Sequence, residues 1–130
     1  MPTREIPRDE WGSFLDSFSR QHAGWLSTVE VLGSAIGAQV ESREQPLSGI
    51  TAELKGGYRD VISIFVGDRS DDHVTHVIHA PSHVRLKETE EGAHEALQIE
   101  SENGVTTLLT FRSTIRSELV DGYVSRLANS

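Results

Sequence analysis

At 130 residues the chain has room for one domain with its own core and for little besides. Hydrophobic residues at 36% beside charged residues at 25% fit a folded domain rather than a disordered chain, and the absence of cysteine removes disulfides, zinc thiolate sites and thiol nucleophiles together. A net charge of −8 with arginine and lysine scattered singly works against nucleic-acid binding, and no apolar run is long enough to cross a bilayer. Met1 to Glu5 opens into a polar segment without a signal-peptide core, so the expected compartment is the cytoplasm.

Pro7, with its fixed φ, and the acidic pair Asp9 and Glu10 mark a helix start. Trp11, Phe14, Leu15 and Phe18 then recur on one helical face, and Gly24 is placed to end the helix in a left-handed conformation, so a helix is predicted over 7–23. Its aromatic stripe is expected to pack on a sheet. Trp25 to Leu32 reads as a strand and Gly33 to Gly37 as a short connection. Ala38 to Arg43 alternates apolar with polar, Glu44 to Gly49 is expected to turn at Pro46, and Ile50 to Leu54 alternates again as a third strand. After a turn over 55–60, Val61 to Val66 is almost continuously apolar, the pattern of a central strand covered on both faces.

The segment 72–113 reads as an antiparallel meander. His73 to His79 is rich in β-branched residues, Pro81 breaks it, and Val84 to Lys87 forms a second short strand. Ala96 to Glu102 and Val105 to Arg112 flank Asn103-Gly104, a hairpin signal that implies a type I′ turn with positive φ at both central residues. Ile115, Leu119, Tyr123 and Leu127 are spaced for a short C-terminal helix, although Gly122 weakens it by about 1 kcal/mol.

Chemistry concentrates in the histidines. Four of the six are His73, His76, His79 and His83, with Asp71 and Asp72 just ahead. On a helix His76, His79 and His83 would share a face and could hold a metal. The β-branched composition makes the segment a strand instead, with His76 pointing away from His73 and His79, which stand roughly 20 Å apart at about 3.3 Å per residue. No metal site is assigned. His76, His79, His83, Asp72 and His73 remain as candidate binding residues, with a bend at Pro81 able to bring His79 and His83 together. No catalytic residue and no cofactor are assigned: the G-x-S-x-G elbow and the P-loop are both missing. The carboxylates Glu88, Glu90, Glu91, Glu95, Glu100 and Glu102 read as a solvated face that guards an edge strand.

Ile6-Pro7 before Trp11 and Phe18, Gly24-Trp25-Leu26 leading into Val29 to Gly33, Pro46 to Ile50, and the Val84 to Phe111 segment together resemble a family of small acidic bacterial proteins catalogued as a domain of unknown function. The resemblance implies a bacterial single-domain protein and supplies no active residues. In architecture alone the chain is similar to the Sm-like RNA-binding fold and other small barrels, a likeness that does not carry function.

The sequence therefore predicts one α+β domain over 1–130. An N-terminal helix packs on a curved antiparallel sheet or partial barrel of six or seven strands, with a short C-terminal helix. The expected function is a non-enzymatic binding or interaction module that forms a homo-oligomer through an edge strand or the Trp11–Trp25 region. A small enzyme or ligand-binding barrel with a histidine-lined site is the alternative. RNA binding is the third, and it would need a basic face made from Arg43, Arg59, Arg85, Lys87 and Arg112.

Overall fold

The computed structural model describes residues 3–67 and 73–111. It contains one short N-terminal helix and an eight-stranded antiparallel sheet. The strands are β1 (Thr3–Ile6), β2 (Leu26–Gly33), β3 (Gly37–Glu53), β4 (Val61–Val66), β5 (Val74–His79), β6 (Pro81–Glu88), β7 (His94–Ser101) and β8 (Thr106–Phe111), in the spatial order β1-β6-β7-β8-β2-β3-β4-β5. The count of six or seven strands is thereby corrected to eight among the described residues: Thr3–Ile6 adds a strand along β6, and the segments expected at 38–43 and 50–54 run together as β3. The predicted C-terminal helix lies outside the described residues.

The helix is shorter than its sequence signals suggested. Pro7 begins a 3₁₀ turn at Arg8–Glu10, and the α-helix, α1, runs from Trp11 to Gln21. Gly24 does take a left-handed φ of 86°, and its N–H donates to the Leu47 carbonyl at 2.8 Å. Trp11, Leu15 and Phe18 are buried, and α1 lies against β3. Trp11 is thus unavailable to a partner; its Nε1 donates to the Ile6 carbonyl at 2.9 Å.

β3 corrects a second expectation. No turn forms at Pro46: one strand runs through it, pairing with β2 over its first part and with β4 from Leu47 onward. A proline is tolerated there because the strand changes partner at that point. The Pro46 carbonyl accepts from Gly67, while the next N–H, that of Leu47, donates to Trp25. Glu44 at φ 53° and a register shift between Leu47 and Gly49 supply the bend.

A second corner lies at Ala80. β5 and β6 sit far apart in the strand order, yet only this residue separates them. Ala80, at φ 52°, donates to the Asp60 carbonyl and accepts from Glu102 N–H, each at 2.9 Å. The kink falls on Ala80, so Pro81 opens a strand of eight residues rather than ending one. Among the described residues these corners curl the sheet toward a barrel without closing it, and β1 and β5 are its edges.

The curl encloses one core. Ile62, Ile64, Val66, Val84, Leu86, Leu97, Ile99 and Leu109 are completely buried within it. β4 is not covered on both faces as predicted: Ile62, Ile64 and Val66 face the core while Val61, Ser63 and Phe65 are half-buried outside. The β7–β8 hairpin forms where the sequence placed it, but its turn is not type I′. Asn103 keeps a negative φ, and Gly104 alone, at 87°, takes the left-handed position. Gly104 N–H donates to Ser101 at 3.0 Å and Ser101 N–H to Val105 at 2.9 Å, the pattern of a three-residue loop with a glycine bulge.

Candidate functional site

The histidines singled out by the sequence do not converge. Asp72 lies outside the described residues. His73 precedes β5 and, with Ser48, Gly49, Phe65, Val74 and Thr75, lines a groove of about 270 Å³. His76 stands opposite Ile64 on the core side of β5, half-buried, with its Nε2 out of solvent and without a hydrogen-bond partner among the described residues. Burial pushes its pKa down, and the nearby Glu41 carboxylate pulls it partly back. His79 is exposed opposite Val61. His83 is on β6, its Nδ1 3.1 Å from Glu5 Oε2. The bend before Pro81 leaves His79 on the edge strand β5 and His83 on the interior strand β6, six places away in the sheet order. Among the described residues no three histidine, aspartate or glutamate side chains are placed to hold a metal ion.

The acidic cluster does not guard an edge. β6 and β7 are interior strands. Glu100 accepts from Arg85 Nη1 at 3.0 Å, and Arg85 Nε also reaches Glu5 at 3.0 Å, tying β1, β6 and β7 together.

The remaining pair of histidines forms the most organised polar group in the structure. His22, at the end of α1, is buried, and its Nδ1 lies 2.7 Å from the Phe18 carbonyl. A carbonyl can only accept, so Nδ1 carries the proton and Nε2 is left as an acceptor. That acceptor meets His94 Nδ1 at 3.1 Å, and His94 Nε2 lies 3.8 Å from Glu88 Oε2. Aromatic rings wall the pair in: His22 stacks on Phe111 at 4.8 Å and meets Trp25 edge-on at 4.5 Å, while His94 stacks on Phe18 at 5.6 Å. Burial lowers the pKa of both histidines. Each ring has one opposing influence, the Phe18 carbonyl on His22 and Glu88 on His94; in addition His94 lowers His22, and Arg4 lowers His94.

The sequence contained half of this signal. His22 extends the spacing of Trp11, Leu15 and Phe18 by one more helical step, so a buried position was implied. Its partner lies 72 residues away, a separation that no local pattern reports.

The open edge at β5 is the second notable surface. Among the described residues β5 pairs with β4 alone. Val74 and Val77 are 41% and 48% exposed, and the strand contains no lysine, arginine, aspartate, glutamate or proline. The opposite edge, β1, is four residues long and carries Arg4 and Glu5.

No helix among the described residues is long and apolar enough to cross a membrane. No solved structure matches the chain. An uncharacterised protein of the bacterium Aquifex aeolicus (strain VF5) is 27% identical over 115 residues, covering 88% of this chain and 96% of that protein. Residues 2–119 match the family of unknown function DUF5335, so the chain belongs to that family.

Proposed function

We propose that the protein is a non-enzymatic interaction module of the bacterial cytoplasm, and that it assembles with a second copy of itself through the edge of β5. The observation that carries this reading is the contrast between the sheet's edges. Natural sheets blunt exposed edges with short strands and charged residues. β1 has both devices, whereas β5 has neither and exposes two valines. Val61 and Phe65 of β4, on the same outer face as Val77, extend the apolar surface inward from that edge.

The pairing geometry follows from the pleat. Directly opposed residues on antiparallel strands point to the same side of a sheet. A two-fold axis that keeps both outer faces together must therefore pass by a residue and not between residues. At Val77 it sets this valine against its own copy as a cross-strand pair. The filled interior supports an interaction role over a ligand-binding barrel, since Ile62, Ile64, Leu97 and Ile99 occupy that space. Against RNA binding, Arg85 is already engaged by Glu5 and Glu100.

Because the chain has no native cysteine, Val77→Cys gives a direct test. Opposed residues in an antiparallel pair bring their Cα atoms to about 4.5–5.5 Å, within disulfide range. Mild oxidation of Val77→Cys is expected to give a covalent dimer at low micromolar concentration. Thr51→Cys, exposed on the same face two strands in from the edge, is expected to stay monomeric. Equal cross-linking of the two variants, or none at Val77, would refute the arrangement.

A further inference from the structure

We propose that His22, His94 and Glu88 form an acid-sensitive latch between the end of α1 and the β6–β7 hairpin, shut while the two rings share at most one added proton and opened by a second. Counting donors and acceptors along the array leads to this rule. With both rings neutral, His22 Nδ1–H donates to Phe18 and His94 Nδ1–H donates to His22 Nε2. His94 Nε2 is then left bare toward the Glu88 carboxylate. The first proton has one place that preserves every bond, His94 Nε2, where it turns a lone pair facing a carboxylate into a charge-assisted contact.

The second proton has no such place. It must go to His22 Nε2, which then points an N–H at the N–H of His94 across 3.1 Å. Acceptor becomes donor, the bond is lost, and two cations stand side by side next to Phe18 and Phe111. Among the described residues the charged groups facing the pair from neighbouring elements are Glu88 on β6 and Arg4 on β1. One carboxylate can balance one imidazolium, and Arg4 opposes any further positive charge. The aromatic contacts from Phe111 and Trp25 carry no charge and offer no acceptor to His22. Opening separates the end of α1 from β7 and uncovers the Phe111–Trp25 face, leaving the β4–β5 edge untouched.

The wild-type protein labelled with ¹⁵N tests this by imidazole NMR from about pH 8 to about pH 4, the range in which histidine titrates. At the alkaline end both rings are expected to carry their proton on Nδ1, with a coupling between the nitrogens of the two rings across their hydrogen bond. That coupling is expected to survive the first proton and to vanish with the second, together with hydrogen-exchange protection of the His22 amide, which donates to Phe18 at 3.1 Å. Independent titration of the rings, or a coupling that persists when both are charged, would overturn the proposal. His94→Phe keeps a ring beside Phe18 but removes the donor to His22 Nε2 and with it the N–H to N–H clash, so the loss of His22 amide protection with the second proton should vanish from this variant. The same loss at the wild-type pH in His94→Phe would overturn the proposal. Should that variant fail to fold, the wild-type titration decides by itself.

Discussion

Replacing Asp60 tests how the helix entry is held to the sheet. Asp60 is 2% exposed and accepts from Arg8 Nη2 and from the Gly56 N–H, each at 2.6 Å. Arg8 in turn lies over the Trp11 ring at 5.8 Å. The Arg8 side chain is half-exposed, at 51%, so solvent screening limits the ion pair itself to about 1 kcal/mol. Asp60→Ala also strips the part-buried Gly56 N–H of its acceptor, a loss of about 1–3 kcal/mol. The sum is about 2–4 kcal/mol. Asp60→Asn keeps an oxygen for Gly56 and gives up the charge, and should lose only about 1 kcal/mol. The hydrogen bond from Arg8, then that from Gly56, holds the Asp60 carboxyl below the usual carboxylate range. A carboxyl lowered in the folded state stabilises above its unfolded value of about 3.9, and the contribution disappears as pH falls through the folded value. Urea midpoints at constant m should therefore separate the wild type from Asp60→Asn at neutral pH and draw together as pH falls below about 3.9 and through the folded value. A loss under about 0.5 kcal/mol for Asp60→Ala, or a gap independent of pH, would show that the contact does not anchor the helix.

Other consequences are equally concrete. Phe18, 1% exposed and touched by the rings of Phe14, His22, His94 and Phe111, should lose about 3–5 kcal/mol as Phe18→Ala, read by urea denaturation; a loss under about 1 kcal/mol would contradict the packing. Gly24→Ala should lose about 1 kcal/mol by thermal denaturation, because no atom lies near an added Cβ and the whole effect comes from φ +86°. His22, His76 and His94 all have pKa values lowered chiefly by burial. Their contribution is complete above the unfolded value of about 6.5 and declines as pH falls toward the lowered folded values. Melting temperature should thus drop between about pH 7 and pH 5, and a flat profile would contradict the burial.

What the sequence could show was what short-range physics controls. The aromatic repeat Trp11 to Phe18 revealed α1, Gly24 its end, and Asn103-Gly104 the β7–β8 hairpin. Where a local rule and the tertiary setting conflict, the tertiary setting prevails. Pro46 carries a turn signal, yet a strand that changes partner at that residue accommodates it. Asn-Gly suggested a two-residue loop, and the hairpin closed around three. Thr3–Ile6 has no strand signature of its own and becomes one by pairing with Val84–Lys87. The site was the least legible part. The clustered histidines are neighbours in sequence only, and the pleat scatters them. The histidines that do meet, His22 and His94, are brought together by the curl of the sheet around the helix end.

The most direct measurement is the solution mass of the wild-type protein by light scattering over a hundredfold concentration range, beside Val77→Lys. The wild type should approach twice the 14.3 kDa chain mass as concentration rises, and Val77→Lys, which sets like charges across the two-fold, should remain at the mass of one chain. A wild type that holds the single-chain mass throughout, or a Val77→Lys variant that dimerises as readily, would contradict assembly through β5.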